Sequence, residues 1–91
     1  MRYLAYTDDG EYVHQVNVKI RSDARIRTVY EKLAVAVVRE LRRNGKHRQD
    51  VFEIHMDLPN VWRNGGVGSV WMTAGNDLYD VYASREGEPW L

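Results

Sequence analysis

A chain of 91 residues is long enough for one domain and too short for two, and at this size folding buries about 60–65% of the unfolded surface. Apolar residues (44%) and charged residues (29%) stand in ordinary globular proportion, with no apolar run near the ~18 residues of a membrane span and no signal-peptide layout at Met1–Tyr6, so a soluble cytoplasmic chain is expected. The lack of cysteine excludes disulfides and thiolate chemistry, and the formal net charge of zero hides an asymmetry: residues 19–48 hold ten Lys/Arg and three acids, a net +7, against −7 in the remainder.

Two strands open the chain, Arg2–Thr7 and Glu11–Ile20, joined by Asp8-Asp9-Gly10. A three-residue hairpin loop favours a left-handed residue in third place, and Gly10 supplies it. That loop sets Tyr6 opposite Tyr12, Leu4 opposite His14 and Arg2 opposite Val16. Leu4, Tyr6, Tyr12, Val16, Val18 and Ile20 then share one face.

A helix follows, with Ser22 or Asp23 as its cap and Gly45 as its stop. Ile26, Val29, Tyr30, Leu33, Ala34, Val37, Val38 and Leu41 recur at three- and four-residue steps and form its core stripe. About 22 residues at 1.5 Å each make roughly 33 Å. Four valines lower its intrinsic propensity, so packing must hold it.

The third strand, Gln49–Leu58, alternates. Phe52, Ile54, Met56 and Leu58 face the core; Val51, Glu53, His55 and Asp57 face away. Pro59 ends it, and residues 60–68, rich in glycine, form a connection expected to be mobile. A fourth strand runs from Ser69 to Ala74, Gly75-Asn76-Asp77 is turn chemistry, and a fifth runs from Leu78 to Ser84. The order ββαβββ predicts an α+β domain, an antiparallel sheet with one long helix packed across one face. Residues 1–91 form a single domain, with 84–91 as a loose C-terminal tail.

Three groups of residues invite a functional reading. Glu53, His55 and Asp57 alternate on one strand face, with successive side chains about 6.6 Å apart, and imidazole with carboxylates suits a transition metal. The same pattern arises from any solvated strand face, and no orienting shell is visible, so no bound metal is expected. Arg25, Lys32, Arg39 and Arg43 lie within about 40° of one another on the helical wheel, off the core stripe, and Arg42, Lys46 and Arg48 extend the positive surface. Such a row suits carboxylates or phosphates. Trp62, Trp71, Tyr79, Tyr82 and Trp90 give the C-terminal half aromatic surface; Tyr79 and Tyr82 differ by an odd step, so they cannot both face the core. No nucleophile elbow, phosphate loop or cofactor motif occurs.

Gln49-Asp50-Val51-Phe52-Glu53, following a basic helix, resembles the stretch before the third strand of the small CRISPR-associated ferredoxin-fold nucleases. That family closes its first strand with an acid before a helix and places a second helix after strand three. Here the first strand enters a hairpin, and residues 59–68 are too glycine-rich for a helix, so the chain is assigned to no family.

Without a catalytic constellation the expected role is binding. The chain reads as a small non-enzymatic protein-binding domain that docks on a larger protein or ribonucleoprotein and blocks it. Phage and mobile-element inhibitors of host machinery, anti-CRISPR proteins included, have this size and plainness. The alternatives are a nucleic-acid-binding module using the basic helix face and, behind it, a metal-dependent hydrolase using Glu53, His55 and Asp57. A homodimer is compatible with either binding role.

Overall fold

The computed structural model describes residues 1–57 and 70–85. Its elements are β1 (Arg2–Asp8), β2 (Val13–Lys19), α1 (Ile26–Arg43), β3 (Glu53–Met56), β4 (Val70–Ala74), β5 (Asp77–Asp80) and β6 (Tyr82–Arg85). All strand pairs are antiparallel, in two three-stranded sheets ordered β2-β1-β6 and β3-β4-β5. The chain is α+β, with the one helix of the described residues packed against the strands.

The two sheets meet where one strand was expected over Leu78–Ser84. Val81 interrupts it: its N–H donates to the carbonyl of Val70 at 2.9 Å, and its side chain is fully buried. Before Val81 the chain pairs with β4; after it, with β1. Ser84 and Arg85, placed in the tail by sequence, pair with Leu4 and Tyr3. Residues 86–91 and the connection around Trp62, with Leu58 and Pro59, lie outside the described residues.

The first hairpin departs from its expected register. Asp8 pairs with Val13, Thr7 with His14 and Ala5 with Val16, leaving a four-residue loop closed by the Asp9 N–H on the Tyr12 carbonyl (3.0 Å). The cause is Asp9, whose carboxylate accepts the backbone N–H groups of Glu11 (2.8 Å) and Tyr12 (2.6 Å), an Asx-type turn that a three-residue loop has no room for. Slipping the pairing by an odd number of residues turns one strand over. Tyr3, Ala5 and Thr7 therefore face the core, not Leu4 and Tyr6, and Tyr12 is exposed. Tyr6 stacks on Tyr82 across the outer face instead, with ring centroids 4.9 Å apart.

The helix begins later than expected. Arg25 is its cap residue and makes no side-chain capping bond; Ser22 and Asp23 sit in a turn closed by Ala24 N–H to Arg21 O, and Asp23 binds Arg21 at 2.9 Å. At 18 residues α1 is about 27 Å long. Its C-terminus is a Schellman motif: Gly45, at φ +83°, donates to Arg42 O, and Lys46 donates to Leu41 O. The core stripe stands as read, from Val29 through Leu41, with Ile26 half-buried at its start. The third strand is shorter than expected because residues 47–50 fold back toward the helix, where Arg42 donates to the Asp50 carbonyl at 3.0 Å. Phe52 and Met56 pack against the core from half-buried positions, but Ile54, expected inside, is 36% exposed on the edge strand of its sheet.

Candidate functional site

The Glu53–His55–Asp57 rung does not converge. Glu53 is exposed, and its carboxylate lies 3.8 Å from His55 Nε2. His55 is held elsewhere: its ring stacks on Trp71 at 5.5 Å, and Nε2 lies 3.4 Å from Thr73 Oγ1. Asp57 falls just past the end of β3. Among the described residues no three acidic or histidine side chains gather in metal-binding geometry.

The aromatic group divides. Tyr79 is 4% exposed and belongs to the core, so it is not available to a partner; burial, with Asp77 beside it, raises its phenol pKa. Trp71 is half-buried on the opposite face of the same sheet, near the exposed Leu78, which is cross-strand from Thr73.

The tyrosine hydroxyl leads to a cluster that sequence reading missed. His47 Nδ1 lies 2.7 Å from Asp50 Oδ2, while Nε2 lies 2.8 Å from Asp77 Oδ2 and 2.9 Å from the Tyr79 hydroxyl. A ring with a carboxylate on each nitrogen is stable as the imidazolium. The Asp50 bond holds its pKa above the ordinary value against the opposing effect of burial, and Asp77 adds to it. The ring packs edge-on against Phe52 and Tyr79, and the Arg42 guanidinium covers Phe52 at 5.4 Å. Both nitrogens are occupied, so His47 is a tie between the post-helix loop and β5, not a free base. Arg42, read as partner-binding, also acts internally through this cluster. The available sequence signal was His47-x-x-Asp50; Asp77, thirty residues away, could come only from the fold.

A second tie closes the hairpin end. Asp9 Oδ2 lies 2.6 Å from His14 Nε2 and 3.7 Å from Lys46 Nζ. The His14 bond and then the Tyr12 N–H hold the Asp9 carboxyl well below the usual carboxylate range. His14 is buried on the inward face of β2, which it shares with Val16, Val18 and Ile20.

The basic row remains on the surface. Arg25, Lys32, Arg39 and Arg43 are all exposed. Arg43 bonds Glu40 at 3.2 Å, and Glu31 is taken by Arg27 at 3.2 Å. Among the described residues, Arg25, Lys32 and Arg39 have no acidic partner. Beside the row runs a groove between α1 and β2. One end is lined by Val18, Glu31, Lys32 and Val35, the middle by Val16, Ala36, Arg39 and Glu40, and the far end by His14, Glu40, Asn44 and Lys46; both acids are already taken, Glu31 by Arg27 and Glu40 by Arg43. This order shows that α1 lies antiparallel to β2 along its length. The far end opens into a hollow of about 610 Å³. No helix among the described residues is long and apolar enough to cross a membrane.

No protein-family model, curated protein or solved structure matches the chain.

Proposed function

We propose that this chain is a non-enzymatic protein-docking domain, which seats its cationic helix face on an acidic surface of a larger protein or ribonucleoprotein in the cytoplasm and blocks or modulates it. The chain's small size and lack of motifs suit a phage or mobile-element inhibitor of host machinery, such as an anti-CRISPR protein. The reading is carried by one observation: Lys32 and Arg39 are exposed, have no acidic partner among the described residues, and border a groove beside Gln15–Val18 of β2. A solubilising helix face needs no groove. Duplex DNA is a poorer fit, because the acidic remainder of the molecule weakens long-range attraction to phosphate.

Affinity capture from the source cells, comparing the native chain with Arg39→Glu/Arg43→Glu, tests this reading. Both residues lie off the core stripe, and the exposed Arg43–Glu40 pair is worth under about 1 kcal/mol, so the variant stays folded. It loses the partner that the native chain enriches. Equal capture by the folded variant would refute the reading and direct attention to the face around Trp71. Affinity for random duplex DNA stays no tighter than about 10⁻⁴–10⁻⁶ M at physiological salt; submicromolar binding would move the chain to the nucleic-acid class.

A further inference from the structure

The β1–β2 ladder determines which backbone groups of β2 are free. Met1 and Ile20 exchange both bonds, the Met1 amine to Ile20 O at 2.8 Å and the Ile20 N–H to Met1 O at 2.9 Å. At the other end the Asp9 N–H donates to Tyr12 O. Bonded and non-bonded pairs alternate along an antiparallel ladder. His14, Val16 and Val18 therefore direct N–H and C=O toward β1, and Val13, Gln15, Asn17 and Lys19 direct theirs outward. β2 ends its sheet, and among the described residues no strand covers that edge. An edge is commonly protected by proline, a bulge or several charges. Here Val13, Gln15 and Asn17 leave it open, with Lys19 alone at one end.

The groove beside this edge has the dimensions and charge of a strand site. From Val13 to Lys19 the edge is about 20 Å long at 3.4 Å per residue. From Lys32 to Arg43 the helix wall is about 16 Å long at 1.5 Å per residue. Val16, Val18 and Ala36 form a half-buried apolar floor and Val35 is 40% exposed beside it; on the wall above, Glu31 and Glu40 are bound by Arg27 and Arg43, which leaves Lys32 and Arg39 as the cations without an acidic partner among the described residues.

We propose that β2 is extended by an added strand: an acidic, extended segment of a partner protein, six or seven residues long, bonds the outward backbone groups of Val13, Gln15, Asn17 and Lys19 and sets its helix-facing carboxylates on Lys32 and Arg39. The inference rests on the docking reading and names its partner class. Alternate side chains of the segment point toward α1, so acids at every second position meet the basic row while the others continue the polar outer face of Gln15 and Asn17. A second copy of this chain is a poorer occupant, because β2-to-β2 pairing would bring two basic rows together.

The probe is a capped seven-residue peptide alternating threonine and glutamate, followed by fluorescence anisotropy and by amide exchange of the full chain. The expected result is saturable micromolar binding, about tenfold slower exchange at Val13, Gln15, Asn17 and Lys19, and about tenfold weaker binding by Lys32→Glu/Arg39→Glu. Asn17→Pro removes an outward donor without touching the β1 ladder and abolishes binding. Should that variant unfold, the exchange pattern of the native chain decides alone. No saturation by about 1 mM peptide, or binding without protection of those four amides, overturns strand addition. The docking reading would survive either result if partner capture still depended on Arg39 and Arg43. Protection that rises with protein concentration in the absence of peptide would identify a second copy as the occupant and overturn the inference. The same protection produced by a single-stranded oligonucleotide, and not by the peptide, would overturn it in favour of nucleic acid.

Discussion

Replacing Leu33 with alanine tests the packing that presents the basic row. Leu33 has no exposed surface and sits midway along the core stripe of α1. Truncating such a side chain costs about 2–5 kcal/mol, the lost transfer energy plus the cavity left behind. A chain of 91 residues has a total stability of roughly 5–14 kcal/mol, so the variant loses a large share of its margin. At a urea dependence of about 1.5 kcal/mol per molar, the unfolding midpoint falls by roughly 1–3 M with unchanged slope. Val35→Ala is the matched control. Two residues further on, Val35 borders the groove and is 40% exposed. Alanine also favours the helix, so this variant stays within about 0.5 kcal/mol of the native chain. A loss under about 1 kcal/mol for Leu33→Ala, or equal losses at the two positions, would show that the helix is rotated and that Lys32 and Arg39 do not face the groove.

The Thr7 hydroxyl is buried with no partner among the described residues, so Thr7→Val gains about 0.5–1 kcal/mol on chemical denaturation; a comparable loss would show that the hydroxyl is bonded. The tie at His47 contributes stability that is fully present below the ordinary histidine value near 6.5 and is lost as pH rises through the ring's higher folded value. Thermal midpoints of the native chain should therefore fall relative to those of His47→Gln as pH rises through that window, and parallel curves would contradict the tie. Asp9 has the opposite sign: its stabilisation is present above the ordinary aspartate value near 3.8 and is lost as pH falls through its depressed folded value. Asp9→Asn should therefore be the less stable protein at neutral pH, with the difference closing on acidification; no difference at neutral pH would show that the carboxylate does not hold the hairpin loop.

Periodicity made the helix legible. Seven buried positions at three- and four-residue steps admit one face, so Lys32, Arg39 and Arg43 could be placed outside it without a structure. The hairpin register was not legible in the same way. Leu4 and Tyr6 alternate with Tyr3 and Ala5 in a strand with apolar residues on both faces, so hydrophobicity does not choose between them. The choice fell to Asp9, whose turn bonds outweighed the glycine rule at Gly10. The same slip left Gln15 and Asn17 with outward backbone groups, which is why the open edge could not be read in advance. The His47 tie joins groups thirty residues apart and was beyond any local pattern. The odd step between Tyr79 and Tyr82 requires one of them to face outward but does not say which; the alternation puts Tyr79 inward with Val81 and Ala83 and leaves Tyr82 on the outer face against Tyr6.

The docking face itself can be read most directly by amide exchange on the complex formed with the captured partner. The account predicts protection along Val13–Lys19 and across the groove-lining turns of α1 from Lys32 to Arg43, with exchange on the outer face of β3 and β4 unchanged. Protection centred on His55, Trp71 and Leu78, with β2 exchanging as in the free chain, would contradict it.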